Sequence, residues 1–293
     1  MEIKMNKIAK RILLILGILL VLAGIIFVCY GVYKKFTLNV PNPVATIEVE
    51  DYGTIKVELY PDKAPNTVAN FIRLANRGVY NGSTFHRTMP NFVIQGGAKN
   101  GDATSSPALS DIMDNIEDSK DLWVKKLYSK ESTDEQKKSL LDRAYNIPGE
   151  FIANGYDSNN LKHEEGVISM ARSDYSTYGY IEEGYNSAGC QFFIMTQDNT
   201  SLDGLYAAFG KVTEGMDVVK EISNVEVYYR DTELKEGEKA PTDKDGNTIA
   251  SDTPKEQPVI KSISVETYGI DYGIPTTVEP FDLSSLYSQF MNY

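Results

Sequence analysis

The chain has little of what most catalytic chemistry requires. It has two cysteines in 293 residues, Cys29 and Cys190, so no intrachain disulfide framework can be built and stability must come from the core. Its two histidines, His86 and His163, have no third ligand at a metal-site spacing, so neither a protein zinc site nor a metal cofactor is expected. No Gly-x-Ser-x-Gly elbow, Walker loop or Gly-x-Gly-x-x-Gly is present, which leaves no sign of a nucleotide or dinucleotide cofactor. Positive charge is also scarce: Lys and Arg total 29 against 41 Asp and Glu, a net charge of -12. A surface that held nucleic acid by counterion release would need the opposite balance.

Long apolar runs are absent except at the N-terminus. Ile12 to Tyr33 carries no charge and, at about 1.5 Å per residue, would reach roughly 33 Å as a helix, so residues 12–33 are expected to be a transmembrane signal anchor. A cleaved signal peptide fits less well, because its apolar region is shorter and ends at a small-x-small site. Lys4, Lys7, Lys10 and Arg11 precede the run, and Lys34 and Lys35 follow it. The positive-inside bias then predicts a basic cytoplasmic segment at 1–11, a single pass through the cell membrane and an extracytoplasmic acidic domain. Residues 34–43, ending in Val40-Pro-Asn-Pro43, read as a stiff linker.

Beyond it, Ala45–Glu50 and Thr54–Leu59 alternate apolar and polar residues around the turn residues Asp51-Tyr52-Gly53, which predicts a hairpin with one buried face. Pro65 opens a helix whose Val68, Phe71, Ile72 and Ala75 share a face, and Gly78 ends it. Short strands are expected within Thr84–Gly97 on either side of Pro90-Asn91, and at Val167–Ala171, Gln191–Thr196, Phe209–Val212 and Val259–Val265; Met216–Ile222 reads as a helix. This is a mainly β protein, a closed antiparallel barrel with helices at its ends. Residues 98–146 and 231–257 read as insertions, the first a surface helical excursion and the second a loop. Asp243-Lys-Asp245-Gly246-Asn247 lacks the ligand order of a calcium loop. In the tail, 269–293, Leu283, Leu286, Tyr287 and Phe290 share one helical face.

The chemistry concentrates in Phe85-His-Arg-Thr-Met-Pro-Asn-Phe-Val-Ile-Gln-Gly-Gly97. With Gly166-Val-Ile-Ser-Met-Ala171, Gly189-Cys-Gln-Phe-Phe-Ile194, Leu202-Asp-Gly204 and Phe209-Gly-Lys-Val-x-Glu-Gly-Met216 in order, the chain resembles the cyclophilins, the cyclosporin-binding peptidyl-prolyl cis-trans isomerases. The resemblance covers residues 44–268 apart from the two insertions. It implies an eight-stranded antiparallel barrel capped by two helices, with Arg87 as the catalytic residue. Phe92, Val93, Gln95, Ala171, Arg172, Gln191, Phe193, Leu202 and Tyr206 would surround the bound proline and its backbone. It further implies isomerisation of X-Pro bonds in unfolded or exported polypeptides, by a membrane-anchored enzyme expected to be bacterial. The alternative is a proline-peptide-binding or chaperone module at the membrane with little isomerase activity.

These residue types suit the reaction. Rotation about X-Pro requires no nucleophile, only a donor aimed at the prolyl nitrogen as amide resonance is lost, and a dry cup for the ring. Arginine stays charged at any relevant pH, and Gln95, across the hairpin, is the expected group to fix it. A Cys190/His86 nucleophilic pair is the rival chemistry, although Cys190 also reads as a small packing residue. Departures from the family pattern are Ser201 where cyclosporin-sensitive members carry Trp, Tyr206 for a frequent His, Val93 for Met, Arg172-Ser173 for a small neutral pair, and a longer stretch between Asp174 and Ser187. Cyclosporin binding is accordingly expected to be weak.

Overall fold

A computed structural model describes residues 7–37, 40–99, 104–230, 234 and 238–283. The chain divides into two units, Met1–Pro41 and Asn42–Tyr293. The first is a helix, α1 (Lys7–Thr37), whose side chains are described for residues 14–29. Among the described residues no helix is long and apolar enough to cross a membrane. This overturns the expected single-pass anchor at 12–33 and the membrane localisation and topology built on it.

In the second unit eight strands close a barrel. They are β1 (Val44–Val49), β2 (Gly53–Leu59), β3 (Ser83–Met89), β4 (Val93–Gly96), β5 (Val167–Met170), β6 (Phe192–Met195), β7 (Ala208–Glu214) and β8 (Val259–Glu266). Their order around the barrel is β1-β2-β7-β5-β6-β4-β3-β8, every neighbouring pair being antiparallel. Alternation does its work in the first hairpin: Ala45, Ile47 and Val49 on β1, and Ile55, Val57 and Leu59 on β2, are buried, and Ile47 sits opposite Ile55. Asp51 takes φ 64° in the turn, a left-handed conformation that Asp tolerates.

Two longer helices, α2 (Pro65–Asn76) and α6 (Met216–Ser223), bury Val68, Phe71, Ile72, Leu74 and Ala75 of the one, and Val218, Val219 and Ile222 of the other, in the barrel's core. Gly215 just ahead of α6 has φ 86°, and a Cβ there would lie 2.3 Å from the Thr54 carbonyl oxygen, so the Glu-Gly-Met step requires glycine. Phe71 packs against Tyr80, Phe192 and Phe209 at centroid distances of 5.2–5.6 Å. Such aromatic pairs are worth about 0.5–1.5 kcal/mol each beyond the area they bury.

The segment 98–146 differs from a surface excursion. It holds two short helices, α3 (Leu122–Lys125) and α4 (Asp134–Leu140), but also sends Leu109, Ile112, Met113, Ile116, Val124 and Tyr145 into the same core as the barrel. Tyr145 donates to Asn70 Oδ1 of α2 at 2.7 Å, and Asn70 Nδ2 donates to the Gly189 carbonyl at 2.8 Å ahead of β6. Leu109, Ile112, Met113 and Ile116 fall at i, i+3, i+4 and i+7, the spacing of one buried helical face, but the charge of the stretch as a whole points to a surface excursion. The first part of the tail packs on the same unit: Trp123 Nε1 donates to Thr277, and Phe281 lies against Tyr175 and Tyr180. Leu286, Tyr287 and Phe290 lie outside the described residues. Between β5 and β6 a further short helix, α5 (Ile181–Tyr185), occupies the lengthened stretch.

Candidate active site

The β3–β4 hairpin turns at Pro90-Asn91, with Asn91 at φ 59°, and sets Arg87 opposite Gln95. Gln95 in turn pairs with Phe193 of β6, and Phe193 with Ser169 of β5. Four neighbouring strands thus deliver their side chains to one patch. A turn at Thr200–Leu202 adds Leu202, and the approach to β7 adds Tyr206. Arg87, Phe92, Val93, Gln95, Ala171, Arg172, Phe193, Leu202 and Tyr206 line one cavity of about 150 Å³. A cavity of about that size in a protein interior accepts a benzene ring, so a pyrrolidine ring fits. Gln191, the remaining residue singled out in the sequence, lines an adjoining polar cavity of about 280 Å³, which shares Gln95, Ala171 and Arg172 with the first.

The cavity floor is ordered by stacked rings. Phe193 meets Tyr206 edge-on at 5.5 Å, and His163 stacks on Phe193 at 6.1 Å and 19°. His163 is 2% exposed; its Nε2 is 3.0 Å from Ser169 Oγ and its Nδ1 3.4 Å from Asp203 Oδ1. The order serine, histidine, carboxylate is that of a hydrolase, but Ser169 is fully buried and lines neither cavity, so no substrate carbonyl can reach it. The trio is a support for Phe193. Arg172 covers the other side, its guanidinium carbon 4.6 Å from the Tyr206 ring centroid and 5.0 Å from that of Tyr185, with Nε donating to the Leu205 carbonyl at 3.0 Å. Arginine at this position therefore acts as a wall stacked on aromatics.

Arg87 is held otherwise than expected. Gln95 Nε2 donates to Gln191 Oε1 at 3.1 Å instead of fixing the guanidinium, because the β4–β6 pairing brings the two amides side by side. Arg87 Nη2 donates to Met89 Sδ at 3.1 Å, its Nε lies 3.9 Å from Asp252 Oδ2, and its guanidinium carbon is 6.0 Å from the Phe92 ring centroid. Asp252 was missed because it belongs to an acidic loop without a motif. His86 sits at a register shift in β3 and is buried next to Phe85, with Gln191 bonding its ring.

Burial pushes the Cys190 thiol up to about 11. At neutral pH it is therefore a thiol in the wall of the polar cavity, not a nucleophile. In the acidic loop Asp243 spends its carboxylate on the Asp245 and Asn247 backbone amides, at 2.9 and 2.8 Å. Among the described residues no group of three or more His, Cys, Asp or Glu is placed to hold a metal ion.

The buried imidazole gives the fold a pH dependence. Burial lowers the His163 pKa, only partly offset by Asp203, whereas the unfolded chain titrates near the free value of about 6.5. The unfolded state then binds the extra proton, so this contribution to stability is complete above about pH 6.5 and is lost as pH falls toward the folded value. Thermal midpoints should fall between about pH 7.5 and 5.5, with a shallower slope in His163→Gln. Equal slopes in the two proteins would show that His163 does not carry the effect.

Comparison with known proteins agrees with this geometry. Residues 44–263 match the family described as cyclophilin type peptidyl-prolyl cis-trans isomerase/CLD, a span that contains every residue lining the 150 Å³ cavity. The chain is 34% identical over 179 residues to peptidyl-prolyl cis-trans isomerase B of Bacillus subtilis, covering 61% of this chain and 90% of that one. It is 31% identical over 182 residues to a peptidyl-prolyl cis-trans isomerase of Synechococcus elongatus, covering 61% and 88%. A crystal structure of a Cryptosporidium parvum cyclophilin type isomerase in the presence of the dipeptide Ala-Pro is similar at a TM-score of 0.48 and 22% identity, covering 76% of this chain and 98% of that one. The barrel, the ordered motifs and the matched span together place the chain in the cyclophilin-type peptidyl-prolyl cis-trans isomerase family.

Proposed function

We propose that this chain catalyses cis-trans rotation about X-Pro bonds in unfolded polypeptides, with Arg87 as the donor to the prolyl nitrogen. The observation that carries the reading is a guanidinium at the edge of a ring-sized cavity whose remaining walls are mostly apolar: Phe92, Val93, Phe193, Leu202 and Tyr206. The prolyl ring sits in that cup, and the Gln95–Gln191 amide pair and the backbone at Ala171 and Arg172 hydrogen-bond the extended peptide on either side. As the amide twists, the nitrogen lone pair localises and the Arg87 N–H bond to it strengthens, which stabilises the transition state selectively. A bacterial source belongs to the same reading, supported by the relatives in Bacillus subtilis and Synechococcus elongatus. The direct test is a protease-coupled isomerisation assay of an Ala-Pro peptide with the full chain. A rate no faster than the uncatalysed one would overturn the proposal.

Cyclosporin should inhibit weakly. Ser201, where sensitive members carry an indole N–H, points its hydroxyl at Asn199 Oδ1, at 2.6 Å, and so has its single donor engaged. In the same assay, half-inhibition is expected only at micromolar drug or above, and nanomolar inhibition would refute the role given to this position.

A further inference from the structure

The acidic 231–257 segment contributes one carboxylate to the site. Asp252 lies beside β3: its carbonyl accepts the Thr88 N–H at 2.9 Å, and its own N–H donates to the Tyr229 carbonyl at 3.0 Å. The residue adopts φ 59° and its side chain is only 6% exposed. Oδ1 takes a 2.8 Å bond from Arg230 Nη1, which also donates to the Thr88 carbonyl at 3.1 Å. Oδ2 faces Arg87 Nε at 3.9 Å. One buried carboxylate therefore lies between two guanidiniums, stitched through backbone bonds to the residue next to Arg87.

We propose that Asp252 is the positioning residue of Arg87, a role that rests on the reading of Arg87 as the catalytic donor. The ionic partner is on the Nε edge of the guanidinium. Among the described residues its Nη2 is engaged by the Met89 sulfur, a weak acceptor that a substrate nitrogen can displace at little cost. The fork is thus oriented from one edge, while the group free to reach the twisted amide stays lightly committed. Arg230 takes the second oxygen and braces the carboxylate in a place with little water. The same arrangement explains why Gln95 can turn to Gln191.

Asp252→Asn tests this. Asparagine has the same shape and tolerates positive φ, so the backbone bonds to Thr88 and Tyr229 are retained while the charge is lost. In steady-state isomerisation by the full chain, kcat should fall about tenfold with KM within about twofold, a partial form of the roughly 100-fold cost of misplacing a reacting group by an ångström. Asp252→Asn with Arg230→Gln, which removes the ion pair whole, should show the same loss in kcat. The ¹⁵Nε–H signal of Arg87 should shift in both variants. Wild-type kcat in Asp252→Asn beside an inactive Arg87→Ala would overturn the positioning role alone. Wild-type kcat in both would overturn the reading of Arg87 itself. Recovery of kcat in the double variant would assign the loss to a stranded Arg230 and overturn the proposal, as would a change confined to KM.

Discussion

Arg87→Ala is expected to lower kcat/KM for X-Pro isomerisation by about 10²- to 10³-fold, the range found on removing one donor aimed at developing transition-state charge. The uncatalysed barrier of roughly 18–20 kcal/mol arises from amide resonance. The enzyme can lower it only through interactions stronger in the twisted amide than in the planar one, each tenfold requiring about 1.4 kcal/mol. On the proposed mechanism Phe92, Phe193, Leu202 and Tyr206 meet the ring in both states and contribute mainly to binding. On the same mechanism Arg87, 38% exposed at its side chain and, among the described residues, bonded to Met89 Sδ and facing Asp252, is the group in the cavity whose bond grows with the twist. The loss should therefore appear in kcat, with peptide binding preserved. Arg87→Lys should recover only part of it, since an ammonium cannot be oriented from one edge and donate from another. The check is a protease-coupled assay beside a binding measurement with an X-Pro peptide. Activity within about twofold of wild type would remove Arg87 from the mechanism, whereas lost activity with intact biological effect would favour a proline-binding module.

The largest effect on stability is expected at Glu150. Helix α2 opens with Ala64 at its N-cap and no side-chain cap, leaving the amides of its first turn to find acceptors elsewhere. Glu150, 5% exposed, supplies them: Oε1 accepts the Asn66 N–H at 3.0 Å, and Oε2 accepts the Thr67 N–H and hydroxyl, both at 2.7 Å. A carboxylate here also meets the positive end of the helix dipole. Removing it strands buried donors, and loss of a charged acceptor of this kind costs about 3–4 kcal/mol. Glu150→Ala should lower the thermal midpoint by roughly 10 °C, at about 2–4 °C per kcal/mol for a domain of this size. Glu150→Gln, which keeps one acceptor oxygen, should lose about half as much. A cost below about 1 kcal/mol in Glu150→Ala, measured by denaturant unfolding, would show that water replaces the carboxylate and that the cap is incidental.

Much of the framework around the site is legible along the chain because strands and turns are set by local rules. On β1 and β2 the alternation states which side chains face inward, and Pro90-Asn91 announces the hairpin that carries Arg87 and Gln95. The apolar cup of Phe92, Val93, Phe193 and Leu202 is what the resemblance carried by the ordered motifs implies; strand pattern alone would equally make these residues core. Where a local pattern was extended beyond its reach, the outcome differed. The charge of the 98–146 stretch suggests a surface excursion, yet Leu109, Ile112, Met113 and Ile116, at the spacing of one helical face, complete the barrel's core. The apolar run at 12–33 suggested a span that the described helix does not supply. Gln95 stands opposite Arg87 in register, but register does not state which way an amide turns.

The sequence by itself determined the strands and their inward faces, since these depend on neighbours one, two or four residues apart, and its ordered motifs implied the apolar cup and the arginine beside it through their resemblance to a family. Only the tertiary structure decided the polar partners: that Glu150 caps a helix 84 residues before it, that Gln191 takes Gln95, and that Asp252 meets Arg87. Buried charges and amides must find partners, but any of 41 acidic residues could satisfy an arginine, and no period marks the one that will. Closure of the barrel, by laying β8 and the loop before it against β3, makes that choice.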